Sequence, residues 1–114
     1  DLQLSLQEQF HHSGGPEDFI HNNKLLDRVV QEGLRLNPSV SYISRKAKFN
    51  LVVDDKYYVP KGWDIIGSTL WLNREPIRWG ENAAEFDPDH CHNQKPEFVF
   101  GGGKHLCFGR HLAI

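Results

Sequence analysis

Three consecutive glycines, Gly101, Gly102 and Gly103, stand just before Cys107, one of two cysteines in the chain, and Gly109 follows it. Such a run has little preference for helix or strand. It permits positive φ and lets the backbone approach something large. Phe108-Gly109-Arg110-His111-Leu112 then reads as a loop entering a helix. A cysteine ahead of a helix start lies in the field of that N-terminus, which favours the thiolate, the form that binds metals or attacks electrophiles. A reduced structural cysteine in a glycine-rich turn is the plainer alternative. Gly-Gly-Gly-Lys also looks like part of a phosphate-cradling loop, but Lys104 is followed by His105 rather than Ser or Thr, and the spacing of that motif fails.

A second organised stretch lies upstream. From Lys24 to Leu36 the apolar residues Leu25, Leu26, Val29, Val30, Leu34 and Leu36 largely follow helical spacing, which predicts an amphipathic helix ended by Asn37-Pro38. Glu32 and Arg35 share one face of it and can pair. If solvated, such a pair contributes only roughly a few tenths of a kcal/mol.

Phe100, Gly103, Cys107 and Gly109 fit F-x-x-G-x-x-x-C-x-G, and Arg35 stands 72 residues before Cys107 inside E-G-L-R-L-N-P. Together these resemble the haem-binding loop and the E-x-x-R helix of the cytochrome P450 family, the haem-thiolate monooxygenases. The resemblance covers about residues 22–114. It implies that Cys107 is the axial ligand of heme b (iron protoporphyrin IX), its thiolate pushing electron density toward iron. Phe100 would pack beside the sulfur, and Gly101, Gly103 and Gly109 would let the backbone come close. Arg45 resembles the family arginine that reaches a haem propionate, and His105 stands where the family often has a second one. Glu32 and Arg35 would be structural, locking the meander below the haem, with His90 where a further arginine is usual. No residue is assigned a catalytic role of its own. Val40, Ser41, Tyr42 and Ile43 are candidates for the substrate pocket, the alternative being ordinary strand packing. W-G-E-N-A-A-E-F-D-P-D, starting at Trp79, resembles the meander, in wording closest to fungal and other eukaryotic members.

The implied fold class is mainly α with small β-sheets (α+β), as in the C-terminal part of that fold. Asp1–Phe10 has apolar residues at positions 2, 4, 6 and 10 and is open between strand and short helix. His11 to Gly15 reads as a solvated break, Pro16-Glu17-Asp18 as a helix first turn, and Asn22 or Asn23 as a cap. Phe49–Val53 and Tyr57–Val59 predict strands turned by Asp54-Asp55, and Trp63–Gly67 another. Residues 68–75 suggest a short helix and 79–94 a loop.

At 114 residues and net charge −2, the chain is at most one modest domain with no argument for nucleic acid. Two cysteines sixteen residues apart make no disulfide framework, so a reducing compartment fits better. No run of 18 apolar residues exists, and Met is absent. Both ends look cut, which makes residues 1–114 a C-terminal fragment of one larger monooxygenase domain. The full enzyme would insert one oxygen atom from O2 into a small lipophilic organic substrate. Its electrons would come from NADPH through a reductase or ferredoxin. Any membrane attachment would lie in a segment absent here. That implies the cytoplasmic face of the endoplasmic reticulum for a eukaryotic type and the cytoplasm for a bacterial one. Two alternatives stand beside this reading. One is a non-catalytic remnant of such an enzyme. The other is a zinc module drawing on His90, Cys91, His92, His105, Cys107 and His111, although the familiar ligand spacings are missing.

Overall fold

A computed structural model describes residues 1–113. Three helices come first: α1 (Leu2–His12), α2 (Pro16–Asn22) and α3 (Lys24–Leu36). Residues 1–10 thus resolve as helix. Asp1 caps it by accepting from the Gln3 N–H, and His11 and His12 prolong it instead of breaking it. The reason is local: the His12 ring bonds the Glu8 carbonyl one turn back at 2.7 Å. The break narrows to Ser13–Gly15, where Gly15 takes φ 128°. Asn23 is the cap of α3, its side chain accepting from the Leu26 N–H.

Four short strands follow: β1 (Tyr42–Lys46), β2 (Leu51–Val53), β3 (Tyr57–Val59) and β4 (Asp64–Ser68). They pair antiparallel as β1 with β4 and β2 with β3. Asp54 and Asp55 both adopt positive φ, 50° and 52°, in the turn between β2 and β3. Aspartate tolerates that region better than most residues because its short side chain bonds locally. The helix expected over 68–75 is shorter, α4 (Thr69–Leu72), because Asn73 turns its side chain inward and Pro76 cannot continue it. The expected loop 79–94 holds the end of α5 (Pro76–Trp79) and a 3₁₀ turn at Pro88–Cys91. A second 3₁₀ turn, Gly103–His105, and α6 (Arg110–Ala113) flank Cys107.

The centre of this arrangement is polar. Among the described residues, the largest fully buried side chains are Arg35, Glu32, Asn73 and Thr69. Trp79, Ala83 and Cys91 form the apolar cluster beside them, and the Trp79 ring lies 5.0 Å from the Arg35 guanidinium carbon. Helix α3 holds the 83–91 segment with one face. Arg28 pairs with Asp89, Glu32 accepts from the Asp87 N–H, and Arg35 donates to the Ala83 and Glu85 carbonyls. Positions 28, 32 and 35 recur at helical spacing, so the polar contacts follow the same period as a hydrophobic stripe.

Candidate haem-thiolate site

Glu32 and Arg35 form a bidentate pair with no exposure on either side chain, Nε to Oε2 at 2.7 Å and Nη2 to Oε1 at 2.8 Å. The remaining guanidinium donors reach the carbonyls of Asn73 (2.6 Å), Ala83 (2.6 Å) and Glu85 (3.0 Å). All five N–H groups of Arg35 are therefore used, which a lysine could not reproduce. Glu32 Oε1 also accepts from the Asp87 N–H and from His90 Nδ1, each at 2.9 Å. An ionised carboxylate can only accept, so His90 carries its proton on Nδ1. His90 thus stands in the network as a donor to Glu32, and its Nε2 lies 3.1 Å from Asn82 Oδ1.

Burial pushes the Glu32 carboxyl up. The hydrogen bonds from Arg35, the Asp87 N–H and His90, together with the Arg35 charge, outweigh it and hold the group at about 2. An ordinary glutamate titrates at 4.5, so the folded value is depressed. The carboxylate's contribution to stability is complete above about pH 4.5 and is lost as pH falls toward 2. The denaturant midpoint should decline through that window, and Glu32→Gln should flatten the decline. A midpoint independent of pH there would contradict the network's energetic role.

The two cysteines are both free but differ in setting: Cys91 is buried and Cys107 exposed. Burial, and then the charge of Glu32 and the Sγ–H bond to it at 3.5 Å, push the Cys91 thiol up to about 12. Alkylation of the haem-free chain at neutral pH should modify Cys107 and spare Cys91, as read by peptide mass. Equal labelling would show that the 91 region opens freely.

The Cys107 loop is closed by backbone bonds. The Gly101 N–H donates to the Phe98 carbonyl at 2.9 Å, and the Cys107 N–H to the Phe100 carbonyl at 2.7 Å. Gly101 takes φ 73°, and a Cβ there would lie 2.6 Å from the His105 carbonyl oxygen. Only glycine fits. A Cβ on Gly109 would stand 3.9 Å from Cys107 Sγ, in ordinary van der Waals contact with it. Leu106, Phe108 and Leu112 lie exposed around the loop, Phe108 and Leu112 fully. A lone accessible sulfur among uncovered apolar side chains suits a soft axial ligand to a large apolar macrocycle. These residues fit a haem. Among the described residues, no three His, Cys, Asp or Glu side chains gather where they could hold a metal ion, so the six proposed zinc ligands do not converge.

The other nominated residues are spread along β1 and the loop. Phe100 is half-buried, and Gly103 (φ 57°) and His105 are exposed in the 3₁₀ turn. Arg45 is exposed on β1 and bonds the Ser44 carbonyl at 2.8 Å. Ile43, half-buried, and Arg45 lie on one face of β1, whereas Tyr42 lies on the other. Val40 and Ser41 precede the strand and give their carbonyls to the Thr69 hydroxyl and the Leu70 N–H. Of the four pocket candidates, Tyr42 and Ile43 therefore face opposite sides of β1. Asn73 escaped the sequence reading: an asparagine before a turn carries no signal of burial.

Motif order, polar core and cysteine loop define a haem-thiolate class of protein. A model of the family described as Cytochrome P450 matches residues 9–114, beginning before residue 22, from which the resemblance was expected to run. The chain belongs to the cytochrome P450 family, whose members are monooxygenase oxidoreductases that bind haem through a cysteine. It is 35% identical over 111 residues to cytochrome P450 714C2 of Oryza sativa subsp. japonica, covering 89% of this chain and 21% of that protein. It is 30% identical to cytochrome P450 714B3 of Zea mays, covering 100% of this chain and 23% of that protein. A Bacillus cereus bifunctional cytochrome P450/NADPH–P450 reductase is 33% identical over 80% of this chain and 9% of its own length. The chain thus spans about a fifth of the two plant relatives' length. A solved structure from work on unusual cytochrome P450-like monooxygenases of microbial secondary metabolism superposes with TM-score 0.66 at 24% identity, over 81% of this chain and 24% of that one. The fold is therefore part of the P450 fold. No helix among the described residues is long and apolar enough to cross a membrane.

Proposed function

We propose that residues 1–114 are the C-terminal, haem-binding part of a longer monooxygenase domain, with the Cys107 thiolate as axial iron ligand. The observation that carries this is Cys107 itself: free, exposed, fixed by its N–H to the Phe100 carbonyl, and set among uncovered apolar side chains. When bound, the haem supplies the oxygen chemistry, and the thiolate favours O–O cleavage. The chain's own share is placement. Glu32, Arg35 and His90 hold the 83–91 segment, and Gly101 lets the loop close. Arg45 and His105, both exposed donors, are assigned to the haem propionates. Ile43 is assigned to the substrate pocket, with Val40, Ser41 and Tyr42 lining its approach. The full enzyme inserts one atom of O2 into a lipophilic organic substrate. Its electrons come from NADPH through a reductase or ferredoxin, a reading supported by the relative named as a fusion with a reductase. Any membrane attachment is assigned to a segment outside this chain. The 114-residue chain by itself is not expected to turn over, since it spans about a fifth of the plant relatives.

The test is the absorption spectrum of the reduced, CO-bound full-length protein beside Cys107→Ser. A strongly red-shifted Soret band that vanishes in the variant is the expected result. A folded wild type that binds haem without that band, or binds none, would end the assignment and favour the non-catalytic remnant.

A further inference from the structure

The network around Arg35 and the loop around Cys107 are joined at Glu97, whose carboxylate pairs with Arg78 at 2.6 Å and whose backbone is held by an uncharged residue, Asn73. Asn73 is wholly buried. Its carbonyl oxygen accepts from Arg35 Nη1 at 2.6 Å. Its side-chain amide donates to the Thr69 carbonyl at 2.9 Å and to the Glu97 carbonyl at 2.9 Å, while Oδ1 accepts from the Glu97 N–H at 2.9 Å. The two carbonyls demand the NH2 group and the N–H demands the oxygen, so the orientation of the amide is forced by its partners. Asn73 therefore grips both backbone groups of Glu97, as a neighbouring strand would.

Glu97 is where the chain enters the cysteine loop. Phe98 next to it takes φ 56°, a left-handed conformation that an aromatic residue rarely holds unless its flanks are fixed. From there backbone bonds run from Phe98 to Gly101 and from Phe100 to Cys107. We propose that Asn73 is a positioning residue that passes the placement of the Glu32–Arg35 pair to the Cys107 loop, by fixing both backbone groups of Glu97. It touches neither the sulfur nor the haem, and the inference rests on the haem-thiolate reading given above.

Asn73→Asp separates this role from bulk packing. It keeps the shape and the acceptor for the Glu97 N–H, but sets a carboxylate oxygen against the Thr69 and Glu97 carbonyls. Asn73→Ser removes most of the clasp with less charge conflict and serves if the aspartate variant does not fold. Two readouts apply to the full-length haem protein: hydrogen exchange by residue, and the proportion of the reduced, CO-bound Soret band that stays red-shifted. Losing one or two buried hydrogen bonds should speed exchange across 97–107 by about tenfold or more while 24–36 keeps its protection. Part of the red-shifted band should convert to the unshifted form of a displaced or protonated sulfur. Ala47→Gly, a buried site outside this clasp, is the comparison and should leave the band unaltered.

Three results would overturn the inference. The wild-type Glu97 amide could exchange as fast as an exposed loop amide, which needs no variant. Exchange in the variants could rise equally in 24–36 and 97–107, marking plain destabilisation. Or the wild-type band could be present and unchanged in both variants. A wild type lacking the band is a different failure, because it removes the haem-thiolate reading first.

Discussion

Arg35→Ala should abolish accumulation of folded protein. The substitution strands the Glu32 carboxylate at a site with no solvent exposure, and it leaves the carbonyls of Asn73, Ala83 and Glu85 without a donor. Breaking a buried pair from one side costs about 3–5 kcal/mol, and each orphaned buried acceptor about 1–3 more, though such terms do not simply add. A whole domain is stable by only about 5–15 kcal/mol. Arg35→Lys should rescue little, because three donors on a flexible stem cannot serve five acceptors arranged around a plane.

The informative comparison is the double variant Glu32→Leu, Arg35→Leu. Where a buried ion pair stands alone, replacing both partners by apolar residues is often neutral. Here it should not be, because the guanidinium also serves three backbone carbonyls that the leucines leave unpaired. A double variant with wild-type unfolding midpoint and haem content would show that the carbonyl contacts carry no net energy.

How much of this was legible beforehand follows from what each contact uses. Helix α3 was plain because its apolar residues repeat at the helical period. The cysteine loop was plain because glycine placement reports backbone constraints directly. The pairing of Glu32 with Arg35 was legible too, but its burial was not. What buries it is the 83–91 segment and Asn73, and the contacts run largely to backbone groups, which every sequence has alike. Asn73 was invisible for the same reason. For Val40 to Ile43 the motif resemblance marks a stretch and not a face, whereas strand alternation sends Tyr42 and Ile43 to opposite sides of β1. His11 and His12 continue α1 although a pair of histidines before Ser-Gly-Gly reads as loop, because the Glu8 carbonyl that holds one of them is again backbone.

Two of the loop glycines should respond very differently to the same added methyl group. Gly101 (φ 73°) and Gly103 (φ 57°) both lie in the left-handed region, so alanine at either is strained by about 1–2 kcal/mol. At Gly103 that is the whole effect within this chain, since none of its heavy atoms lies within 4 Å of the added Cβ. At Gly101 the Cβ would lie 2.6 Å from the His105 carbonyl oxygen, a backbone atom that cannot swing aside as a flexible side chain does. Relief requires moving residues 105–106 away, and Cys107 comes next in the chain, held to the Phe100 carbonyl beside Gly101. Gly103→Ala should therefore lose only modest stability and keep its red-shifted CO-bound Soret band. Gly101→Ala should lose most of that band even where circular dichroism shows the helices intact. Measured in the full-length protein, equal spectra for the two variants would mean that closure of this turn does not set the position of the sulfur.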